Sequence, residues 1–233
     1  MYRKGNVILK KRLNQTNESL NIRIVLDRSG SMVGCQKVTI EALNEYLRDL
    51  KQEKDISASI TLSTFDSISI DVPIKDTPIK KLKFFPNEIL QPRGGTPLFD
   101  AIGLAIHDLE RRDESTDENK VLVIVTDGNE NASKEYTFEN ISSKIKEKED
   151  EGWLVIYLGA HHDAFQQSNA LNFSNDRSMR YSKKDSVDTF KAVTRTTLDY
   201  SRGIKSKEIF FTEKERFAAD KSEFRISDFR EEE

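Results

Sequence analysis

Short apolar runs alternate along the chain with longer stretches whose apolar residues recur at helical spacing. The runs are Ile22–Leu26, Ile60–Phe65, Val121–Val125 and Trp153–Leu158, and the last two are almost unbroken, as strands buried on both faces of a parallel sheet are. Between them, Val38, Ile40, Leu43, Tyr46, Leu47 and Leu50 share one helical face, and Leu98, Ile102, Ala105, Ile106 and Leu109 share another. A third helix is predicted from Thr137 to about Glu151, ending at Gly152, which suits a left-handed cap. Ser67–Val72 alternates polar and apolar positions just after the second run and reads as an antiparallel edge hairpin. Four prolines, at 73, 78, 86 and 92, make the stretch from about 73 to 95 a loop with at most short helical turns.

Downstream, Asp163–Ala170 predicts a short helix, Arg180–Ser182 a last short strand, and Val187–Arg202 a final helix. Alternation of this kind predicts an α/β fold: a mainly parallel central sheet with one antiparallel edge strand and helices on both faces. Beyond Gly203 the periodicity breaks into Lys, Arg and Glu mixed with Ile209, Phe210, Phe211, Phe217, Phe224 and Phe229. That is more aromatic than a solvating tail, so this segment is expected to dock on its own domain or on a partner. Three parts result: an N-terminal extension 1–19, a domain 20–202 and a charged, aromatic extension 203–233.

Composition narrows the function. Hydrophobic residues make up 36% and charged residues 33% of 233, enough to fill one core beneath a heavily charged surface. A net charge of −3, with basic and acidic residues interspersed, disfavours nucleic acid as a partner. No apolar run approaches the roughly 20 residues that span a bilayer, and Val7-Ile8-Leu9 is too short for a secretory core. The lone Cys35 excludes an intrachain disulfide and a cysteine-rich zinc site. A cytoplasmic protein, off the membrane, is the expectation.

Three polar loops stand where chemistry is expected: Asp27-Arg28-Ser29-Gly30-Ser31 after the first run, Gly94-Gly95-Thr96-Pro97 before the helix at Leu98, and Thr126-Asp127-Gly128 after the third run. In an open parallel sheet the carboxyl ends of the strands form the crevice that binds ligands, so the three can converge. Asp27, Ser29, Ser31, Thr96 and Asp127 would offer only oxygen, two carboxylates and three hydroxyls, which suits a hard cation. Mg²⁺ is the natural occupant, with Mn²⁺ or Ca²⁺ as alternatives. Because Mg²⁺ keeps several of its waters, one position is expected to stay open for solvent or an incoming carboxylate.

Taken in order, Asp-x-Ser-x-Ser, Gly-Gly-Thr-Pro and Thr-Asp-Gly resemble the metal-ion-dependent adhesion site of the von Willebrand factor A family. Phe99–Gly103, Thr126–Ser133, Tyr157–Ala160 with Asp163-Ala164, and Lys191–Val193 extend the likeness to small stand-alone A-domain proteins of bacteria and phages, over roughly residues 20 to 202. The resemblance implies a Rossmann-like fold in which Ser29, Ser31 and Thr96 ligate through hydroxyls while Asp27 and Asp127 act directly or through water. It also implies a binding module rather than an enzyme, whose protein partner supplies an Asp or Glu to the metal. The resemblance permits an AAA-type ATPase as one such partner. Self-association through the tail, whose Glu231–Glu233 could reach a neighbour's site, is another.

Around that core, Arg28, Met32, Asn129, Glu130 and Asn131 leave the metal loops and are candidates for partner contact. His161 and His162 sit on the expected rim, although adjacent histidines rarely both ligate. Asp100 and Cys35 read as structural residues at helix starts. A structural role in an assembly is the first alternative function. A metal-assisted phosphoester hydrolase is the second, and it would need a base that only His161, His162 or Cys35 offers.

Overall fold

The computed structural model describes residues 19–113, 118–160, 171, 173–180, 182 and 185–219. Among these residues six strands form one sheet: β1 (Leu20–Asp27), β2 (Ala58–Phe65), β3 (Ile70–Pro78), β4 (Asn119–Thr126), β5 (Leu154–Gly159) and β6 (Ser178–Arg180). Their order is β3-β2-β1-β4-β5-β6. All neighbours are parallel except β2 and β3. The chain thus leaves β1 toward one edge and returns to β1's other side for β4. That reversal opens a crevice at the carboxyl ends of β1 and β4.

Among the described residues five α-helices flank the sheet: α1 (Gln36–Gln52), α2 (Leu98–Asp113), α3 (Phe138–Asp150), α4 (Ser186–Ser201) and α5 (Glu213–Ala219). Side-chain alternation along the strands divides the core in two. Ile22, Ile24, Leu26, Val123 and Ile156 pack on the face that holds Ile40 and Leu43 of α1 and Phe190 and Val193 of α4. Val25, Ile124, Val155 and Tyr157 pack on the other, with Leu98 and Ile102 of α2 and Ile141 and Ile145 of α3. β5 is buried at every position and β4 at all but its first, so apolar residues can follow one another there without a solvent face.

Local signals set the boundaries. Thr137 caps α3 by accepting from the amide of Asn140. Gly152, at φ 96, closes the same helix with Gly152 N–H donating to Glu149 O and Trp153 N–H to Lys148 O. The expected hairpin is present, but β3 begins later and runs to Pro78, through Pro73. Prolines are tolerated there because β3 is an edge strand whose pairing with β2 is already interrupted at two irregularities. The last strand lies at Ser178–Arg180, slightly before its predicted place, and the predicted helix at Asp163–Ala170 lies outside the described residues.

Residues 204–219 pack back on the domain. Ile209, Phe211 and Ala219 are buried in the same core as β1 and α4. Phe211 N–H donates to Asp176 O and Arg177 donates to Ser206 O, while Arg195 of α4 grips Glu215 of α5 at 2.5 Å. Among the described residues no helix is long and apolar enough to cross a membrane.

Candidate metal centre

The three polar loops meet at the carboxyl ends of β1 and β4. Asp27 is the last residue of β1, aligned with Phe65 on β2, while Leu26 aligns with Val125 on β4. A 3-10 turn at Gly30–Met32 follows at once and folds Ser29 and Ser31 back over the strand end. Ser29 N–H donates to Asp27 Oδ1 at 2.6 Å, and the hydroxyls of Ser29 and Ser31 lie 2.9 Å apart. From the far side, Ser31 Oγ donates to Asp127 Oδ1 at 2.5 Å. Thr96 completes the group: a Cβ built on Gly128 would lie 3.0 Å from Thr96 Oγ1 and 3.2 Å from Ser31 Oγ. Position 128 therefore has room for little more than glycine, and all five candidate residues share one small space.

Asp27, Ser29, Thr96 and Asp127 are buried, whereas Ser31 is exposed, so the group opens to solvent on one side. Burial pushes the Asp27 carboxyl up to about 6, against the pull of hydrogen bonds from Thr126 and Ser29, and the charge of Asp127 adds to the rise. Two carboxylates are held together here in a poorly solvated place, and the candidate donors beside them, the hydroxyls of Ser29, Ser31 and Thr96, are oxygen. The set fits a hard divalent cation. Among the described residues no cluster of three or more His, Cys, Asp and Glu is present.

Several residues brace this group. Thr126 Oγ1 donates to Asp27 Oδ2 at 2.6 Å and fixes the carboxylate's rotation. Its place one residue before Asp127, at the end of β4 beside β1, was the available sequence signal. Asn131 clamps the Thr96 loop from both sides: its Oδ1 accepts from Thr96 N–H and its N–H donates to Thr96 O. Asp100 accepts from the amides of Lys134, Glu135 and Tyr136, tying the loop after β4 to the start of α2.

Three expected partner contacts are corrected. Arg28 points away from the centre, and its guanidinium is engaged by Asp66, Thr64, Ser69 and Asp71. Met32 is fully buried, because the 3-10 turn drives it into the core beside α1. Glu130 turns inward, where its carboxylate accepts from the amides of Phe99, Ala132 and Ser133. Asn129 and Asn131 remain exposed, and His161 and His162 lie outside the described residues. Cys35 is buried at the start of α1 with its thiol directed to Met32 O.

Residues 20–167 match the family model described as von Willebrand factor type A domain. No curated protein matches the chain. Among solved structures, the chain is similar to the vWF domain of the type V pili tip protein Mfa5 from Porphyromonas gingivalis, with a TM-score of 0.59 at 10% identity, covering 78% of this chain and 96% of that one. It is also similar to proximal thread matrix protein 1 from the mussel byssus, with zinc in its MIDAS motif, at a TM-score of 0.57 and 13% identity, covering 77% of this chain and 48% of that one. A manganese-loaded TRAP protein of Plasmodium vivax gives a TM-score of 0.51 at 16% identity, covering 74% and 72%. At such identities the likeness is one of fold.

Proposed function

The chain belongs to the von Willebrand factor type A domain family, and from that premise we propose that it is a Mg²⁺-dependent protein-binding module. Asp27, Ser29, Ser31, Thr96 and Asp127 would hold the cation, and an Asp or Glu of a partner protein would complete its coordination. The observation that carries this reading is the convergence of five oxygen-bearing residues from three loops into one small space that is exposed at Ser31. A bound cation would add positive charge beside Asp27 and Asp127 and would attract an acidic side chain. Binding rather than catalysis is supported by the company the fold keeps: a pilus tip protein and a byssus matrix protein stand among its structural likenesses. We place the protein in the cytoplasm, where a single buried Cys35 needs no protection from oxidation.

Affinity capture with the purified protein tests the proposal. Partners are expected to be retained in Mg²⁺ and released by EDTA, and a folded Asp27→Ala variant is expected to capture none of them. Equal capture of the same proteins by that variant in EDTA would overturn it.

A further inference from the structure

Two arginines and two aspartates lie directly behind the metal loops, and of these the sequence pointed only to Arg28, as a partner contact. Asp66, in the turn between β2 and β3, is fully buried. Its Oδ1 accepts from the amides of Ile68 and Ser69, which fixes the shape of the turn. Its Oδ2 accepts from Arg28 Nε at 2.5 Å and from Arg93 Nε at 2.8 Å. Arg28 sits between Asp27 and Ser29, and Arg93 just precedes the Gly94-Gly95-Thr96 loop. One carboxylate therefore holds the two loops that carry four of the five candidate ligands.

Backbone contacts multiply the same join. Arg93 N–H donates to Arg28 O at 2.9 Å, Gly30 N–H to Gly94 O at 3.0 Å, and Ser67 N–H to Gly95 O at 3.0 Å. Ser67 Oγ in turn accepts from Gly95 N–H at 2.8 Å. Gly94 has φ 65, and a Cβ there would meet Ser67 Oγ at 2.5 Å, so the loops touch too closely for any side chain between them. Asp71, half-exposed, closes the far end of the Arg28 guanidinium.

We propose that Asp66 is the positioning residue of the metal centre, acting through Arg28 and Arg93 to set the metal loop against the Thr96 loop without touching the ion. This rests on the reading of the five residues as a cation site. Groups that orient metal ligands from behind are worth roughly 10- to 100-fold in metal affinity.

Charge and position make opposite demands on the two variants that test it. Asp66→Asn removes a negative charge near the cation and Arg93→Gln removes a positive one, so simple electrostatics predicts weaker binding for the first and tighter binding for the second. Positioning predicts weaker binding for both. Mn²⁺ affinity is measured by electron paramagnetic resonance titration of each 233-residue protein, with Mg²⁺ competition, and the urea midpoint of each is measured in EDTA. The expected result is a loss of about tenfold or more for Asp66→Asn, a smaller loss for Arg93→Gln, and an unchanged urea midpoint for Arg93→Gln. Unchanged affinity in both variants, or tighter binding by Arg93→Gln, overturns the proposal. Should Asp66→Asn not fold, Arg93→Gln decides alone, since its side chain is 45% exposed. If the wild-type protein binds no Mn²⁺, it is the cation site itself that fails.

Discussion

Ser31 and Asp127, separated by 96 positions in sequence, are joined by a 2.5 Å hydrogen bond from the serine hydroxyl to Oδ1 of the aspartate. That bond closes the turn after β1 on the loop after β4 and places two candidate ligands side by side. Asp127→Asn keeps an acceptor for Ser31 but removes the charge. The variant is expected to fold as the wild type by circular dichroism while binding Mg²⁺ at least about tenfold more weakly by isothermal titration calorimetry.

Gly103 faces Tyr136 across the join between α2 and the loop after β4. A Cβ at position 103 would come within 2.5 Å of the tyrosine ring, so Gly103→Ala must displace the ring or the helix. Overpacking of this kind costs about 1–3 kcal/mol. Thermal unfolding should show it, at about 2–4 °C for each kcal/mol in a chain of this size.

Phe211 lies beyond the last long helix yet is buried in the main core with Ile209 and Ala219. Phe211→Ala is expected to cost about 3–5 kcal/mol of unfolding free energy in urea. A variant as stable as the wild type would mean that 204–219 is not docked in solution.

The same docking carries a pH dependence. Burial raises the Glu215 carboxyl, but hydrogen bonds from Arg195 and from the amide and hydroxyl of Thr212 outweigh it and hold the group below the usual carboxylate range. Asp199 shares Arg195 from the α4 side. A depressed carboxylate stabilises the folded state fully above its unfolded value of about 4.3, and that contribution is lost as pH falls through the lower folded value. Amide hydrogen exchange in 204–219 is therefore expected to lose protection below about pH 4 relative to β1 and β4, and Glu215→Gln should show the loosened state already at pH 7.

Sheet and helices were legible because burial on two faces writes itself as unbroken apolar runs, and packing on one face as 3.6-residue periodicity. Val121–Val125 and the Leu98–Leu109 stripe are such cases. Loop side chains carry no such period. Arg28 and Met32 were expected to face a partner, yet the strand end and the 3-10 turn aim one at Asp66 and the other into the core. Asp66 was invisible for the same reason: its role depends on a contact 38 positions away. The tail's aromatics announced burial without saying against what, because Phe211 finds its partners only once β6 and α4 are in place.

The central claim, that three loops build one cation site, is met most directly by titrating metal-free wild-type protein and Asp27→Ala with Mg²⁺ in a calorimeter, each shown to be folded beforehand. One equivalent of Mg²⁺ is expected to bind the wild type, with at least about tenfold weaker binding to the variant. A folded wild-type protein with no saturable Mg²⁺ binding, or equal binding by the variant, would contradict it.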